Sequence, residues 1–235
     1  MEYFTLLLLG SLVGMQHVLD ADHLAAMATL GTGQSTRRAL ILRGSLWGLG
    51  HTITLLTICG MLLVWGGTIS ERTQAILQLA VGVMIVMLGA NVLVRLWRKR
   101  THFHFHQHET GLHHVHAHSH QFDLAPHSRN PHPHPHHSLG LGRAMLVGMI
   151  HGTAGSAGLL VLAAGTDSVI NGLGYVLAFG AGSIIGMIVL SFVASYPLRF
   201  LDKHAGWMNM AGLASVGCAA VIIGLGLLVE NWAVL

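Results

Sequence analysis

An all-α, polytopic membrane fold is predicted by three observations. Hydrophobic residues make up 52% of the 235-residue chain and charged residues 9%, at a mean hydropathy of +0.61. Soluble domains carry about a quarter charged residues, so this chain lacks the polar surface of one. Six uncharged or nearly uncharged stretches, at 3–25, 44–66, 73–94, 144–166, 170–196 and 205–229, each approach or exceed the ~20 residues that cross hydrocarbon as a helix. Eleven of the twelve lysines and arginines fall in alternate connections between them.

The first stretch has no basic leading segment and carries Glu2 at its start, so it reads as a retained helix and not as a cleaved signal peptide. Arg37, Arg38 and Arg43 flank the connection to the second stretch, in which His51 stands in an otherwise uncharged run. Arg72 sits beside Glu71 before the third stretch and is the single basic residue on the opposite side. Arg95, Arg98, Lys99, Arg100, Arg129 and Arg143 belong to the third connection, and Arg199 and Lys203 to the fifth. Positive charge stays on the cytoplasmic side, which predicts connections one, three and five inside and both termini outside, in the cell inner membrane. The net charge of +3 and pI of 9.2 reflect this topology and give no reason to propose nucleic-acid binding. Cys59 and Cys218 fall in predicted helices, as small buried hydrophobes with no disulfide inferred.

A weak repeat divides the chain. Gly14-Met15-Gln16-His17 in the first stretch recurs as Gly148-Met149-Ile150-His151 in the fourth, and the same offset of 134 places Gly48 on Gly182. Three helices per half make the second copy enter the membrane from the opposite side, a 3+3 inverted repeat of the kind common in secondary transporters. The predicted organisation is a first three-helix half at 1–97, a His-rich cytoplasmic loop at 98–139 between helices 3 and 4, and a second three-helix half at 140–235. His17 and His151 should then approach each other near the pseudo-two-fold axis.

His17, Asp20, Asp22 and His23 sit together in GMQHVLDADHLAAM, inside a stretch otherwise fit for a bilayer. A carboxylate at mid-bilayer costs roughly 2.5 to 3.5 kcal/mol on insertion scales, and a divalent metal cation is the simplest compensation. On a regular helix His17, Asp20 and His23 drift round the cylinder at i, i+3 and i+6, while Asp22 points about 140° from His17. A straight helix cannot bring His17, Asp22 and His23 to one ion. Either the helix unwinds near Leu19 to Ala21, or different members face different neighbours. The alternative is a motif at the helix end, with its aspartates solvated and paired to Arg37 or Arg38. His51, flanked by Gly48 and Gly50 that admit a close neighbour, is the natural fourth contributor. Nitrogen and carboxylate ligands without thiolate suit nickel, cobalt, zinc or copper(II), and residue type alone does not rank them.

The run HVLDADHL at 17–24 resembles the His-x4-Asp-His signature of the nickel/cobalt permease superfamily, and LGHT at 49–52 resembles that family's second-helix motif. The segment GMIHGTAGSAGLLVL at 148–162 is similar to the fourth-helix region of its short six-helix branch, which includes urease-associated permeases and nickel/cobalt efflux proteins. The resemblance implies that His17, Asp22, His23 and His51 bind the ion, with Asp20 and His151 as further candidates. It implies Ni2+ or Co2+ as transported substrate, no prosthetic group, and a nickel chaperone or a urease or hydrogenase maturation pathway as partner. The chain begins directly with the motif helix, unlike the longer uptake permeases, and its His-rich loop resembles the efflux branch.

Residues 102–137 hold 14 of the 19 histidines, alternating at 102, 104, 106 and 108. Such a composition cannot build an apolar core and is expected to be disordered without metal, serving for weak, multivalent metal capture. Ser156, among small residues, reads as helix packing, and Asp167 as a cap or solvated residue of the fourth loop. Two function classes compete. One is a permease for a divalent transition metal, uptake favoured over efflux. The other is an intramembrane zinc-dependent hydrolase, which needs an open coordination position and a separate base such as Asp20. No HExxH supports the enzyme, and no GxxxxGK[ST] supports ATP drive within this polypeptide. The expectation is a transporter, not an enzyme.

Overall fold

The first hydrophobic stretch folds as two helices in the computed structural model of the chain. These are α1 (Glu2–His17) and α2 (Ala21–Gly31), bent by 60°. Residues 2–32, 36–98, 101–107, 113–119, 137–155, 168–203 and 206–235 are described by the structure, with positions 159, 162, 163, 165 and 166. α1 closes in tightened i→i+3 bonds, in which Leu19 N–H donates to the Gln16 carbonyl (2.9 Å) and Asp20 N–H to that of His17 (3.1 Å). Asp20 is extended (φ −62°, ψ 149°) and is the N-cap of α2, yet its side chain makes no bond to the α2 backbone. The carboxylate is engaged elsewhere.

α3 (Arg37–Trp65) begins at Thr36, whose hydroxyl accepts from Ala39 N–H at 3.2 Å. It stops at Gly66, which adopts the left-handed conformation (φ +67°) that closes a helix without a Cβ penalty. α4 (Glu71–Arg98) follows. The third connection was expected to lack structure, but Thr101–Gln107 (β1) and His113–Ser119 (β2) pair antiparallel, from Thr101 opposite Ser119 to Gln107 opposite His113. Alternation of histidine with Phe103, Phe105 and Val115 has the two-residue period and the β-forming residues of a strand. Residues 108–112 and 120–136 of the loop lie outside the described residues, as do Ser156 and Asp167.

α5 (His137–Ala154), α6 (Val169–Lys203) and α7 (Gly206–Trp232) complete the described helices. The fourth stretch, expected as one helix over 144–166, is continuous only to Ala154, and Leu159, Leu162 and Ala163 are helical beyond it. Gly152 and Gly155 each weaken a helix by about 1 kcal/mol relative to alanine, which favours the stop. Among the described residues four helices are long and apolar enough to cross a membrane, α3, α4, Val169–Leu198 of α6 and Trp207–Trp232 of α7. The bent α1–α2 pair makes a fifth if it is one span.

Small residues set how these helices meet. Gly14 of α1 lies on the backbone of Phe179, and Gly182 of α6 on that of Ser11, leaving no room for a Cβ at either glycine. Gly148 of α5 lies on Trp47, and Gly50 of α3 on Met145, in the same manner. Both pairs run parallel. α3 crosses α6 antiparallel, with Gly48 against Ile184 and Thr52 against Gly180. α4 and α7 are antiparallel through Gly82 with Gly224 and Gly89 with Gly217. Close backbone approach is the usual basis of helix association in lipid, where dispersion replaces the hydrophobic drive.

A core of Val18, Ala26, Met27, Trp47, Ile85 and Met187 is buried between these pairs, while Phe4, Met87, Ile170 and Val229 are exposed on outer faces. Trp65, Trp97, Trp207 and Trp232 are exposed near helix ends, the position of an interfacial aromatic belt. The chain is a multi-pass membrane protein.

Candidate metal centre

Four helices contribute to one cluster of imidazoles. His17 ends α1, Asp22 and His23 open α2 just past the break, His51 lies at the middle of α3, and His151 lies one turn from the end of α5. The break separates His17 from His23 enough to turn both inward, which a straight helix could not do. Close approach at Gly50 and Gly148 then brings α5 against α3, so that His151 reaches the same space as His51.

The carboxylates hold the rings. Asp22 Oδ1 accepts from His23 backbone N–H at 2.8 Å and lies 3.1 Å from His23 Nδ1, and its Oδ2 lies 2.9 Å from His151 Nε2. Asp20 Oδ2 lies 2.9 Å from His17 Nδ1, with the Asp20 side chain 58% exposed. A carboxylate on Nδ1 fixes the tautomer and leaves the Nε2 lone pair for another partner. His17 Nε2 and His23 Nε2 are both buried and have no hydrogen-bond partner, and the same holds for both ring nitrogens of His51 and for His151 Nδ1. Buried polar nitrogens without a partner are costly, and a cation would satisfy several at once.

Two overlapping sets of donors are close enough to share an ion. His17, His23 and His51 each offer an atom within 4.8 Å of the others, and so do Asp22, His23 and His151. His23 belongs to both. Ring centroids confirm the crowding, at 4.5 Å for His17–His23, 4.0 Å for His23–His151 and 5.4 Å for His23–His51. Ligands about 2.1 Å from one ion stand at most about 4.2 Å apart, so small side-chain rotations bring either set into range.

The sequence-derived candidates His17, Asp22, His23 and His51 are thus brought together. His151 joins them through Asp22, and it meets His17 only across His23. Asp20 is set behind His17 and points outward. The alternative of aspartates paired to arginine does not hold for the described contacts, because Arg37 stacks on Phe192 and Tyr196 with its guanidinium 4.9 and 4.7 Å from the ring centroids. Two residues went unnoticed in the sequence. Trp47, wholly buried, lies 5.7 Å from the His23 ring and 5.8 Å from that of His151, and Phe179 lies 5.4 Å from that of His17. Trp47 precedes His51 by four residues, one helical turn, which was the only local signal. Gly155 passes so near that a Cβ on it would stand 3.3 Å from His17 Nε2.

The chain is similar to the urease accessory protein UreH of Bacillus sp. (strain TB-90), at 28% identity over 219 residues that cover 91% of this chain and 88% of that protein. No solved structure matches it. The family model described as the cytochrome C biogenesis protein transmembrane region matches residues 23–225. That match takes in His23, His51 and His151 and leaves His17 and Asp22 ahead of it. Covering most of the polypeptide, it shows that the chain belongs to the cytochrome C biogenesis protein transmembrane region family.

Proposed function

We propose that the chain is a secondary permease for Ni2+ or Co2+ in the cell inner membrane, working in the uptake direction. The observation that carries this reading is the set of unpartnered, buried imidazole nitrogens that converge from α1, α2, α3 and α5 at a helix break. His17, His23, His51 and His151 would take the ion from either side of His23, and Asp22 would supply the compensating charge. Overlapping donor sets suit a cargo, because an ion can pass from one set to the other without losing all its ligands.

The packing supports a 3+3 inverted repeat as the moving frame. An offset of 134 relates α1 to α5, and 132 relates α3 to α6, so the contact of Gly14 with Phe179 mirrors that of Gly148 with Trp47. By the same offsets the contact of Gly182 with Ser11 mirrors that of Gly50 with Met145. Gly50, and not Gly48, is therefore the partner of Gly182 in this frame. Each helix runs antiparallel to its counterpart, the relation of an inverted-topology repeat, and such repeats support alternating access by rocking of one half against the other. On this reading α5 and the helical residues after it form the fourth of six membrane passes, which keeps both termini on one side, and the arginine- and lysine-rich connections make that side the outside. The relative named as a urease accessory protein accords with nickel as cargo and with a metalloenzyme maturation pathway as its destination. An intramembrane hydrolase is less well supported, since Asp20 is committed to His17 and faces outward.

Reconstitution of the full chain in liposomes tests the reading. Saturable Ni2+ or Co2+ flux, inhibited by excess Zn2+ and lost in Asp22→Ala, is expected. Inward flux under an imposed proton gradient would fix the direction, and outward flux would assign the protein to efflux. Normal flux through Asp22→Ala would remove the proposed site.

A further inference from the structure

Where α2 and α4 end and α3 and α5 begin, a recessed cavity of about 170 Å³ is lined by Thr29, Thr32, Arg43, Arg95, Gly140 and Arg143. Arg43 Nη1 donates to the Leu30 carbonyl at 2.9 Å, and Arg95 Nη2 to Thr32 Oγ1 at 2.9 Å. Arg95 Nε donates to the Asn91 carbonyl at 3.3 Å. These bonds anchor two guanidiniums to the last turn of α2 and to α4, and among the described residues most of the ten donors on those two groups have no partner. Arg143 has no described hydrogen bond or ion pair. Among the described residues every ion pair belongs to the histidine cluster, so no carboxylate among them neutralises any of the three. Gly140 completes the space, because a Cβ there would overlap the Arg43 guanidinium.

Arg43 and Arg95 are held by these hydrogen bonds while Arg143 is free of them, and Arg95 and Arg143 are exposed to solvent. The mutual repulsion of the three charges around the recess falls when an anion shares them. Planar guanidinium forks arriving from three helices match the several acceptor oxygens of a tetrahedral oxyanion better than the two of a carboxylate. We propose that this pocket binds a phosphate-class oxyanion, supplied either as free phosphate or as the phosphodiester of an anionic membrane lipid, whose charge, unlike that of phosphatidylcholine, is not cancelled by a headgroup cation. Its position at the helix ends on the arginine-rich side of the fold is accessible to both sources. The site is separate from the histidine cluster, since α2 carries His23 at its start and Thr29 to Thr32 at its end, about 9 to 14 Å further along the helix.

The test uses the full chain purified in a non-ionic detergent and compares wild type with Arg143→Gln. Thermal unfolding is followed while inorganic phosphate replaces chloride at constant ionic strength. In a second arm the protein is placed in nanodiscs of phosphatidylcholine alone or with phosphatidylglycerol. A saturable rise in midpoint with inorganic phosphate, shifted about tenfold or more to higher concentration in Arg143→Gln, supports the site with free phosphate as ligand. A rise only with phosphatidylglycerol, lost in the same variant, supports it with a lipid headgroup as ligand. Arg143→Lys keeps the charge without the fork and should fall between the two. No rise in either arm for wild type, or an unchanged response in Arg143→Gln, would overturn the proposal.

Discussion

Asp22 touches His23 through one oxygen and His151 through the other, so a single carboxylate orients two rings from different halves of the chain. Its removal should cost more than one ligand, and Asp22→Ala is expected to abolish metal flux in liposomes. Asp20 acts at one remove, through His17 Nδ1, and outer partners of this kind typically change metal affinity 10- to 100-fold. Asp20→Asn should therefore weaken Ni2+ binding, measured by calorimetry, by a factor in that range while flux stays measurable. At this scale much could be read from the sequence, because aspartate and histidine are conspicuous where everything else suits lipid. His151 was only hinted at by the repeated Gly-Met-x-His. Trp47 and Phe179 were invisible, since an aromatic side chain in an apolar helix reads first as packing.

The turn at Val18 to Asp20 was legible for a geometric reason, as no straight helix places residues 17, 22 and 23 on one side. The end of α5 at Ala154 was not, because a glycine-rich stretch in a membrane helix signals close packing as readily as a stop. Helix contacts are separable by substitution. Gly14→Ala drives a methyl group into the Phe179 backbone and should destabilise the fold by about 1–3 kcal/mol, seen as a lower midpoint of thermal unfolding in detergent. Gly226, by contrast, has open space where its Cβ would stand, and Gly226→Ala should hold or raise that midpoint by up to about 1 kcal/mol. Equal gains in the two variants would show that helix propensity, and not close approach, governs these positions.

Across the whole molecule, hydropathy and charge were enough to find a multi-pass helical protein, whereas the pairing of α1 with α6 and of α3 with α5 emerged only from backbone contacts far apart in sequence. The histidine-rich connection stands between α4 and α5 in the chain. Deletion of residues 102–137 should leave Ni2+ flux measurable in liposomes and change its apparent affinity or the retention of ion. Abolished flux in a well-folded deletion protein would make the loop part of the pathway. The exposed tryptophans carry a further consequence. Trp207 and Trp232 stand 25 residues apart on α7, a rise of about 37 Å, between the ~30 Å of hydrocarbon and the ~40–45 Å of a bilayer with its headgroups. Both rings can then lie in the interfacial layers with little tilt. The molecule carries its own measure of bilayer thickness, and in lipids of shortened acyl chain it must lean to keep those rings at the surface. Leaning one helix of the α4–α7 pair strains the glycine contacts that join the two halves, so turnover should pass through an optimum as acyl length is varied.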